Sequence, residues 1–229
     1  MKHAGLALAS AALLLAACTP AAEIDASTRA PAAQIDAYTK VAIAPFLGKP
    51  LLGDANAPVE LAEYASTTCG HCRAFHEEIL PELKAKYIDT GKVKLAWYVL
   101  PTAPAPLSLA GAAIARCAGE GRFFEAIDVM FDEQEALFNA ASPEDMKKQL
   151  NAIGAKFDLS PDAVSTCIDD PTILATTNAA LADMPATITG TPSFVINGVK
   201  IEPESLEAIS AAIDAELAKA GAPAAPAPQ

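Results

Sequence analysis

Two cysteines three positions apart, Cys69 and Cys72, carry the clearest chemical potential in this sequence of 229 residues. Thiols at this spacing can close a small disulfide ring and exchange it with the thiols of another chain. Exchange requires a thiolate, because the protonated thiol is a poor nucleophile. If a helix begins at Cys69, as the apolar pattern after it predicts, its unpaired N–H groups and the positive end of its dipole favour that anion.

His71, between the two cysteines, can place positive charge near the Cys69 sulfur, which would lower the pKa of that thiol and make the disulfide a stronger oxidant. The alternative is a solvated loop histidine without effect. The cysteine pair could also be a purely structural bridge, although so short a span closes little unfolded-state entropy, or half of a zinc site. Structural zinc usually needs four ligands, and neither His71 nor His76 supplies the missing half. We predict no metal and no cofactor.

The first 17 residues are predicted to be a lipoprotein signal peptide. After the basic Lys2, residues 5–17 form an apolar run that is too short to span a bilayer comfortably. The run ends in Leu-Ala-Ala directly before Cys18, which resembles the lipobox of bacterial lipoproteins and implies that Cys18 is lipidated and becomes the N-terminus. The alternative is an ordinary signal peptide cut near Ala17, with Cys18 an incidental thiol.

The composition of the rest of the chain changes along its length and indicates three segments. Residues 18–50 are interpreted as a membrane-tether spacer and lead-in, residues 51–220 as the folded domain, and residues 221–229 as a disordered Pro/Ala tail with nothing to bury. Hydrophobic residues are 52% of the sequence, but many are alanine and aromatics are only 6%, so we expect a helix-rich core. The net charge of -12 argues against nucleic acid as a partner, because phosphate binding needs clustered Lys and Arg.

Cys117 and Cys167 remain once Cys18 is assigned to lipid and Cys69 and Cys72 to the exchanging pair. Export would place them in an oxidising compartment, where disulfides persist. We therefore predict a structural disulfide that joins two helices, worth about 4 kcal/mol in the chain-entropy treatment of so long a loop. The alternative is two separate buried thiols that pack as small hydrophobic residues.

Two strands are predicted on either side of the cysteine helix, over residues 59–66 and 92–100, because apolar and polar residues alternate there. Within the helix, Pro81 is expected to cause a kink, since proline lacks an amide donor and crowds the carbonyl one turn earlier. Apolar residues recur every four positions along this helix and predict one buried face: Phe75, Ile79, Leu83 and Tyr87.

The signals from residue 107 to about residue 184 are helical, with capping patterns that begin at Ser142 and Ser160. A short strand follows, then a hairpin turn at Asn197-Gly198 and a last amphipathic helix from about residue 203 to residue 218.

The order of these elements predicts an α/β protein with a thioredoxin-like fold and a helical subdomain inserted at about residues 105–185. Three segments in that order resemble the DsbA-like branch of the thioredoxin superfamily: Gly53–Val59, Glu63–His76 and Gly190–Gly198. The resemblance covers about residues 51–218. It implies that Cys69 is the exposed nucleophile and that Cys72 is the buried thiol that resolves the mixed disulfide.

The resemblance also implies a cis bond between Thr191 and Pro192, in a loop that faces the active site and binds the substrate chain by strand-like pairing. Glu63 stands where the family carries a buried acid that takes up or relays the proton of the resolving thiol; the alternative is a solvent-facing carboxylate on the strand. The best-known oxidases have Pro-His between the cysteines, whereas this sequence has Gly-His, as eukaryotic disulfide isomerases do. Gly-His is still typical of an oxidising centre, but it does not fix the reduction potential of the cysteine pair.

These implications lead us to expect a periplasmic disulfide-forming oxidase that acts on reduced, newly exported polypeptides. We expect a monomer that is reoxidised by a membrane redox partner and held by lipid at a bacterial membrane, inner or outer. A disulfide reductase or isomerase is the alternative within the class, although such isomerases usually carry a dimerisation domain for which no segment is long enough. A CxxC metal-binding or chaperone lipoprotein is the alternative from another class, and the small numbers of Met and His, four and three, argue against it.

Overall fold

The computed structural model describes residues 44–202 and 205–221, which build a five-stranded mixed sheet with helices around it. The strands are β1 (Leu51–Leu52), β2 (Val59–Ala65), β3 (Val93–Val99), β4 (Ser193–Ile196) and β5 (Val199–Ile201). Their order is β1-β3-β2-β4-β5, in which β2 and β3 run parallel and every other pair is antiparallel. This topology confirms the predicted thioredoxin-like fold.

The chain joins the fold a few residues before the predicted domain boundary. Arg116 donates hydrogen bonds from Nη1 to the carbonyls of Phe46 and Gly48, over 2.8 and 3.1 Å, and Pro50 is buried. The predicted signal peptide, Cys18 and residues 222–229 of the predicted tail lie outside the described residues. Within the two described ranges, no helix is long and apolar enough to cross a membrane.

Both faces of the sheet are covered, so the alternating side chains of β2 divide between two apolar clusters. Leu61 and Ala65 join the main core, whereas Ala62 and Tyr64 join a smaller cluster on the other face. Glu63 shares the face of Leu61, because side chains two apart on a strand point the same way. It is completely buried, which excludes the solvent-facing alternative for this carboxylate.

The cysteine helix begins directly after Cys69, as predicted, and alternates between α-helical and π-helical turns. It comprises α1 (Gly70–Ala74), a π segment (Phe75–Ile79), α2 (Leu80–Leu83) and a second π segment (Lys84–Ile88). The wider π turns suit the four-residue apolar repeat, which would drift off one face of a pure α-helix with 3.6 residues per turn. Pro81 lies in the first turn of α2, directly after a π segment, so the expected disruption takes the form of a change in helix type.

Six α-helices and one short 3₁₀ helix (Glu120–Arg122) between β3 and β4 form the inserted subdomain. The α-helices are α3 (Ala105–Cys117), α4 (Phe123–Asp132), α5 (Gln134–Phe138), α6 (Pro143–Ala155), α7 (Pro161–Ile168) and α8 (Pro171–Ala182). Ser142 and Ser160 cap α6 and α7 by accepting hydrogen bonds from backbone N–H groups, as predicted. A disulfide joins Cys117, at the end of α3, to Cys167 in α7. The insert is therefore tied together by a covalent bond as well as by packing.

The last elements follow the predicted order. Asn197 and Gly198 have φ values of 45° and 89°, the left-handed conformation that a two-residue hairpin turn requires. The terminal helix α9 (Leu206–Lys219) begins after Ser205, whose side chain accepts a hydrogen bond from the Ala208 N–H. Ile209, Ile213 and Leu217 of this helix are buried in the main core.

Candidate active site

Cys69 and Cys72 lie at the start of the cysteine helix, and both are free thiols. Cys69 is the residue that caps the helix, and the backbone N–H of Cys72 donates a hydrogen bond to its sulfur over 3.4 Å. Cys69 is partly exposed, whereas Cys72 is completely buried. Another chain can therefore reach the sulfur of Cys69 but not that of Cys72.

The surroundings of Cys69 lower the pKa of its thiol to about 5. The largest cause is a hydrogen bond from the Cys72 thiol, and the Thr191 hydroxyl and the backbone N–H groups of Cys72 and His71 act in the same direction. Partial burial opposes them. His71 thus contributes through its main chain at the helix N-terminus, while its imidazole is exposed to solvent. At neutral pH Cys69 is a thiolate, the form that exchange requires.

Thr191 acts on Cys69 in two opposite ways. Its carbonyl oxygen lies 3.4 Å from the Cys69 sulfur and accepts a hydrogen bond from the protonated thiol, whereas its hydroxyl favours the thiolate. The lowered pKa of Cys69 shows that the groups favouring the thiolate prevail. The bond from Thr191 to Pro192 is cis, and a second cis bond, between Ala103 and Pro104, was not predicted.

Four influences raise the pKa of Cys72 well above its ordinary value. They are the hydrogen bond that its thiol gives to Cys69, burial, and the negative charges of Glu63 and of the Cys69 sulfur. Cys72 therefore stays a protonated thiol while Cys69 is ionised. Two adjacent sulfurs in opposite protonation states suit two successive attacks, in which Cys69 reacts first and Cys72 must lose its proton before it reacts.

A chain of acid and imidazole groups lies beneath Cys72. Glu63 Oε2 is 3.1 Å from His76 Nε2, and His76 Nδ1 is 2.8 Å from Asp128 Oδ1 on α4. Burial lowers the pKa of His76, but the charge of Glu63 and the hydrogen bonds from the ring to Asp128 and Glu63 outweigh it, and the pKa rises to about 9. His76 is therefore an imidazolium at neutral pH, and it links a buried carboxylate to an exposed one.

From the sequence, His76 is weighed only as a zinc ligand, and its place in this chain of groups is not evident. The spacing held a signal, because His76 follows Cys72 by four residues, about one helical turn, and so shares its helix face. No pattern in the sequence pointed to Asp128, which is 52 residues further along and reaches His76 through the packing of the insert.

The loop between β2 and the cysteine helix is held by further side chains that no sequence pattern indicates. Ser66 Oγ lies 2.7 Å from Ser108 Oγ in a buried hydrogen bond. Gln134 Nε2 donates to the backbone carbonyls of Thr67 and Cys69, over 2.9 and 3.2 Å. Ser108 and Gln134 belong to the insert, so the inserted subdomain helps to position the nucleophile.

A cavity of about 350 Å³ opens beside the cysteines, between the cysteine helix and the loop of Pro192. Its walls combine apolar and polar side chains: His71, Ala74, Phe75, Glu78, Ile79, Pro192 and Phe194. Cys117 and Cys167 do not line this cavity, and their disulfide joins α3 to α7 within the insert. Among the residues that the structure describes, no three His, Cys, Asp or Glu side chains are grouped so that they could hold a metal ion.

Comparison with known proteins identifies the family. Residues 47–215 match the family described as Thioredoxin. The crystal structure of Wolbachia pipientis alpha-DsbA1 is 30% identical, with a TM-score of 0.65 over 76% of this chain and 92% of that one. Oxidised BdbD from Bacillus subtilis, at 20% identity, has a TM-score of 0.66 over 76% of this chain and 96% of that one, and shows the likeness of fold alone. The chain therefore belongs to the thioredoxin family, in its DsbA-like branch.

A curated relative adds a name that fits the chemistry of the site. A Rickettsia prowazekii protein, provisionally named a protein-disulfide oxidoreductase, is 34% identical over 170 residues. The match covers 73% of this chain and 61% of the Rickettsia protein, so this chain spans less than two thirds of the length of that relative.

Proposed function

We propose that this protein is a thiol–disulfide oxidase that donates the Cys69–Cys72 disulfide to reduced polypeptides. The observation that carries the proposal is the contrast between the two sulfurs, since the pKa of Cys69 is lowered to about 5 and that of Cys72 is raised. A stabilised Cys69 thiolate favours the reduced pair, and a pair that favours its reduced form gives its disulfide away readily.

The proposed reaction begins when a substrate thiolate attacks the Cys69 sulfur of the closed disulfide. The bond to Cys72 breaks, its electron pair stays on the Cys72 sulfur, and Cys72 takes up a proton. A second substrate thiolate then attacks the substrate sulfur of the mixed disulfide, and Cys69 leaves as a thiolate, which its low pKa favours. The substrate loses two electrons, and this protein ends with two reduced cysteines.

Thr191 and Pro192 are proposed to bind the substrate backbone beside the reacting sulfur. The Thr191 carbonyl lies 3.4 Å from Cys69 Sγ, so a chain that pairs with this segment would hold its own sulfur near Cys69. The adjoining cavity, with the apolar side chains of Phe75 and Phe194, offers room for neighbouring substrate residues.

The test is oxidation of a reduced, unfolded polypeptide with several cysteines. The oxidised protein should lose one disulfide for each one that the substrate gains, and the potential of the Cys69–Cys72 couple should lie above about -200 mV, towards the strong thiol oxidants near -120 mV. A potential of about -270 mV, like that of thioredoxin, would indicate a reductase instead. Metal titration of the reduced protein, with no tight binding expected, addresses the metal-binding alternative.

The proposed setting is the periplasm, where a membrane redox partner reoxidises the cysteine pair and a lipid on Cys18 holds the protein at the membrane. This part rests on the sequence pattern before Cys18. Mass spectrometry of the mature protein should find fatty acyl groups on Cys18 and no residues before it. A mature chain that starts at another residue would remove the anchor from the proposal.

A further inference from the structure

We propose that His76 and Asp128 form a proton path that connects the buried Cys72, through Glu63, to solvent. In this path His76 is a positioning residue, because it acts on the reacting sulfur through Glu63. The inference rests on the proposed function, in which Cys72 loses a proton each time the disulfide closes and gains one each time it opens.

The burial of Cys72 creates the need for such a path. To close the disulfide, the Cys72 thiol must release its proton before the sulfur attacks Cys69. The residue has no exposed surface. Bulk water therefore cannot collect the proton at the sulfur, and a group inside the protein has to receive it.

Glu63 is placed to receive that proton. Its charge contributes to the raised pKa of Cys72, so the carboxylate lies within electrostatic reach of the sulfur. Glu63 Oε1 is buried and has no hydrogen-bond partner among the described residues, whereas Oε2 contacts His76. A buried carboxylate oxygen without a partner is costly, and this one has a lone pair free for a proton.

His76 is held between two carboxylates, Glu63 on β2 and Asp128 on α4. A neutral imidazole can donate a hydrogen bond from one nitrogen only, whereas the imidazolium donates from both. The arrangement therefore keeps a cation between the two carboxylates, with one ring nitrogen facing each of them. The ring also contacts two aromatic side chains that carry no charge: Phe75 and Phe131.

Asp128 carries the path to the surface. The side chain of His76 is 2% exposed, whereas that of Asp128 is 57% exposed. When the disulfide closes, His76 Nδ1 can pass its proton to Asp128 or to water there, and Nε2 can then accept the proton that Glu63 has taken from Cys72. The same steps run in reverse when the disulfide opens, so protons balance in both directions.

The test separates the two cysteines by reacting the reduced protein with dithiobis(nitrobenzoate), an aromatic disulfide that is the oxidant in this assay. The Cys69 thiolate attacks the reagent first, forming a mixed disulfide and releasing one nitrothiobenzoate. Cys72 then loses its proton, attacks the Cys69 sulfur, and displaces the second nitrothiobenzoate as the internal disulfide forms. Stopped-flow absorbance resolves the two releases, and the second one reports on Cys72.

His76→Gln should slow the second release at pH 7 by at least about tenfold. This is a modest effect beside the roughly 10²–10⁴-fold that a positioned acid or base contributes, because His76 acts through Glu63. Without the imidazole, Glu63 has no group that can carry its proton on to Asp128 and solvent, so the Cys72 proton must be removed by hydroxide from solution. The pH profile of the second release should therefore move up by about one unit or more. Asp128→Asn should move it in the same direction by less.

Asp132→Asn is the matched control, since Asp132 is an exposed carboxylate one turn further along α4. It should leave both releases unchanged. The first release should be the same in all variants, because His76 and Asp128 are not among the groups that lower the pKa of Cys69.

Different outcomes bear on the two proposals. A wild-type protein that releases one equivalent and never a second contradicts the proposed function. If the wild type releases two and both His76→Gln and Asp128→Asn keep the wild-type pH profile, the proton path is wrong. Should His76→Gln fail to fold, Asp128→Asn decides the question, because that side chain is exposed.

Discussion

Cys72→Ser is expected to accumulate mixed disulfides through Cys69, whereas Cys69→Ser is expected to lose exchange altogether. In Cys72→Ser the accessible nucleophile remains, but the internal thiol that can release a bound substrate is gone, so a substrate with a single cysteine stays attached. Serine also keeps a hydroxyl that can donate to Cys69, in place of the thiol that is the largest cause of the low pKa. In Cys69→Ser the remaining sulfur is buried and protonated, so we expect a loss of more than about 10³-fold, as for other nucleophiles.

Incubation with an oxidant and a reduced polypeptide that has a single cysteine, followed by mass spectrometry, measures both results. Trapping by Cys72→Ser should persist in mild acid and decline only as the pH falls through about 5, the pKa of Cys69 in the wild type. An ordinary cysteine, with a pKa of about 8.5, would lose most of its reactivity well above that pH. The variant with both substitutions is the control. If Cys69→Ser traps substrate and Cys72→Ser does not, the two roles are reversed.

Removing the second disulfide, by Cys117→Ala with Cys167→Ala, is expected to destabilise the protein without stopping exchange. The bond joins α3 to α7 across 50 residues of sequence. Opening a loop of that size costs about 4 kcal/mol in the chain-entropy treatment, which corresponds to a fall in Tm of roughly 10 °C for a domain of this size. Thermal and denaturant unfolding of the oxidised variant and wild type measure the difference.

Two comparisons sharpen this prediction. Under mild reduction the wild type should expose two thiols rather than four, because Cys117 and Cys167 are buried and Cys69 is accessible. The exchange rate of the double variant should match that of the wild type at temperatures where both are folded. Equal melting temperatures would show that the bond contributes nothing to stability, and a loss of activity at full stability would show that it takes part in the chemistry.

Features that depend on neighbours along the chain could be predicted from the sequence. The helix that begins after Cys69, the caps at Ser142 and Ser160 and the turn at Asn197 each follow from a few adjacent residues. The burial of Glu63 was implied only by the resemblance to the family. The alternation of apolar and polar residues along its strand is equally consistent with an exposed carboxylate.

Features that depend on packing between distant segments could not be predicted. Asp128 and Gln134 reach the site from the insert, and their own segments read as ordinary amphipathic helix. Strand β1 has only two residues, too few to show a period. Its place in the sheet depends on pairing with β3, a contact that no local pattern reports.

The contact of Gln134 with the loop between β2 and the cysteine helix limits how far this protein can be shortened. One amide group from α5 supplies the donors for the carbonyls of Thr67 and Cys69. A minimal protein made by deleting the helices between β3 and β4 would keep the Arg73 N–H as a donor to the Cys69 carbonyl but would remove the Gln134 donor from the buried Thr67 carbonyl. A buried carbonyl without a partner is costly. The insert is therefore not a detachable module, and grafting this cysteine centre onto a plain thioredoxin scaffold would require a replacement donor.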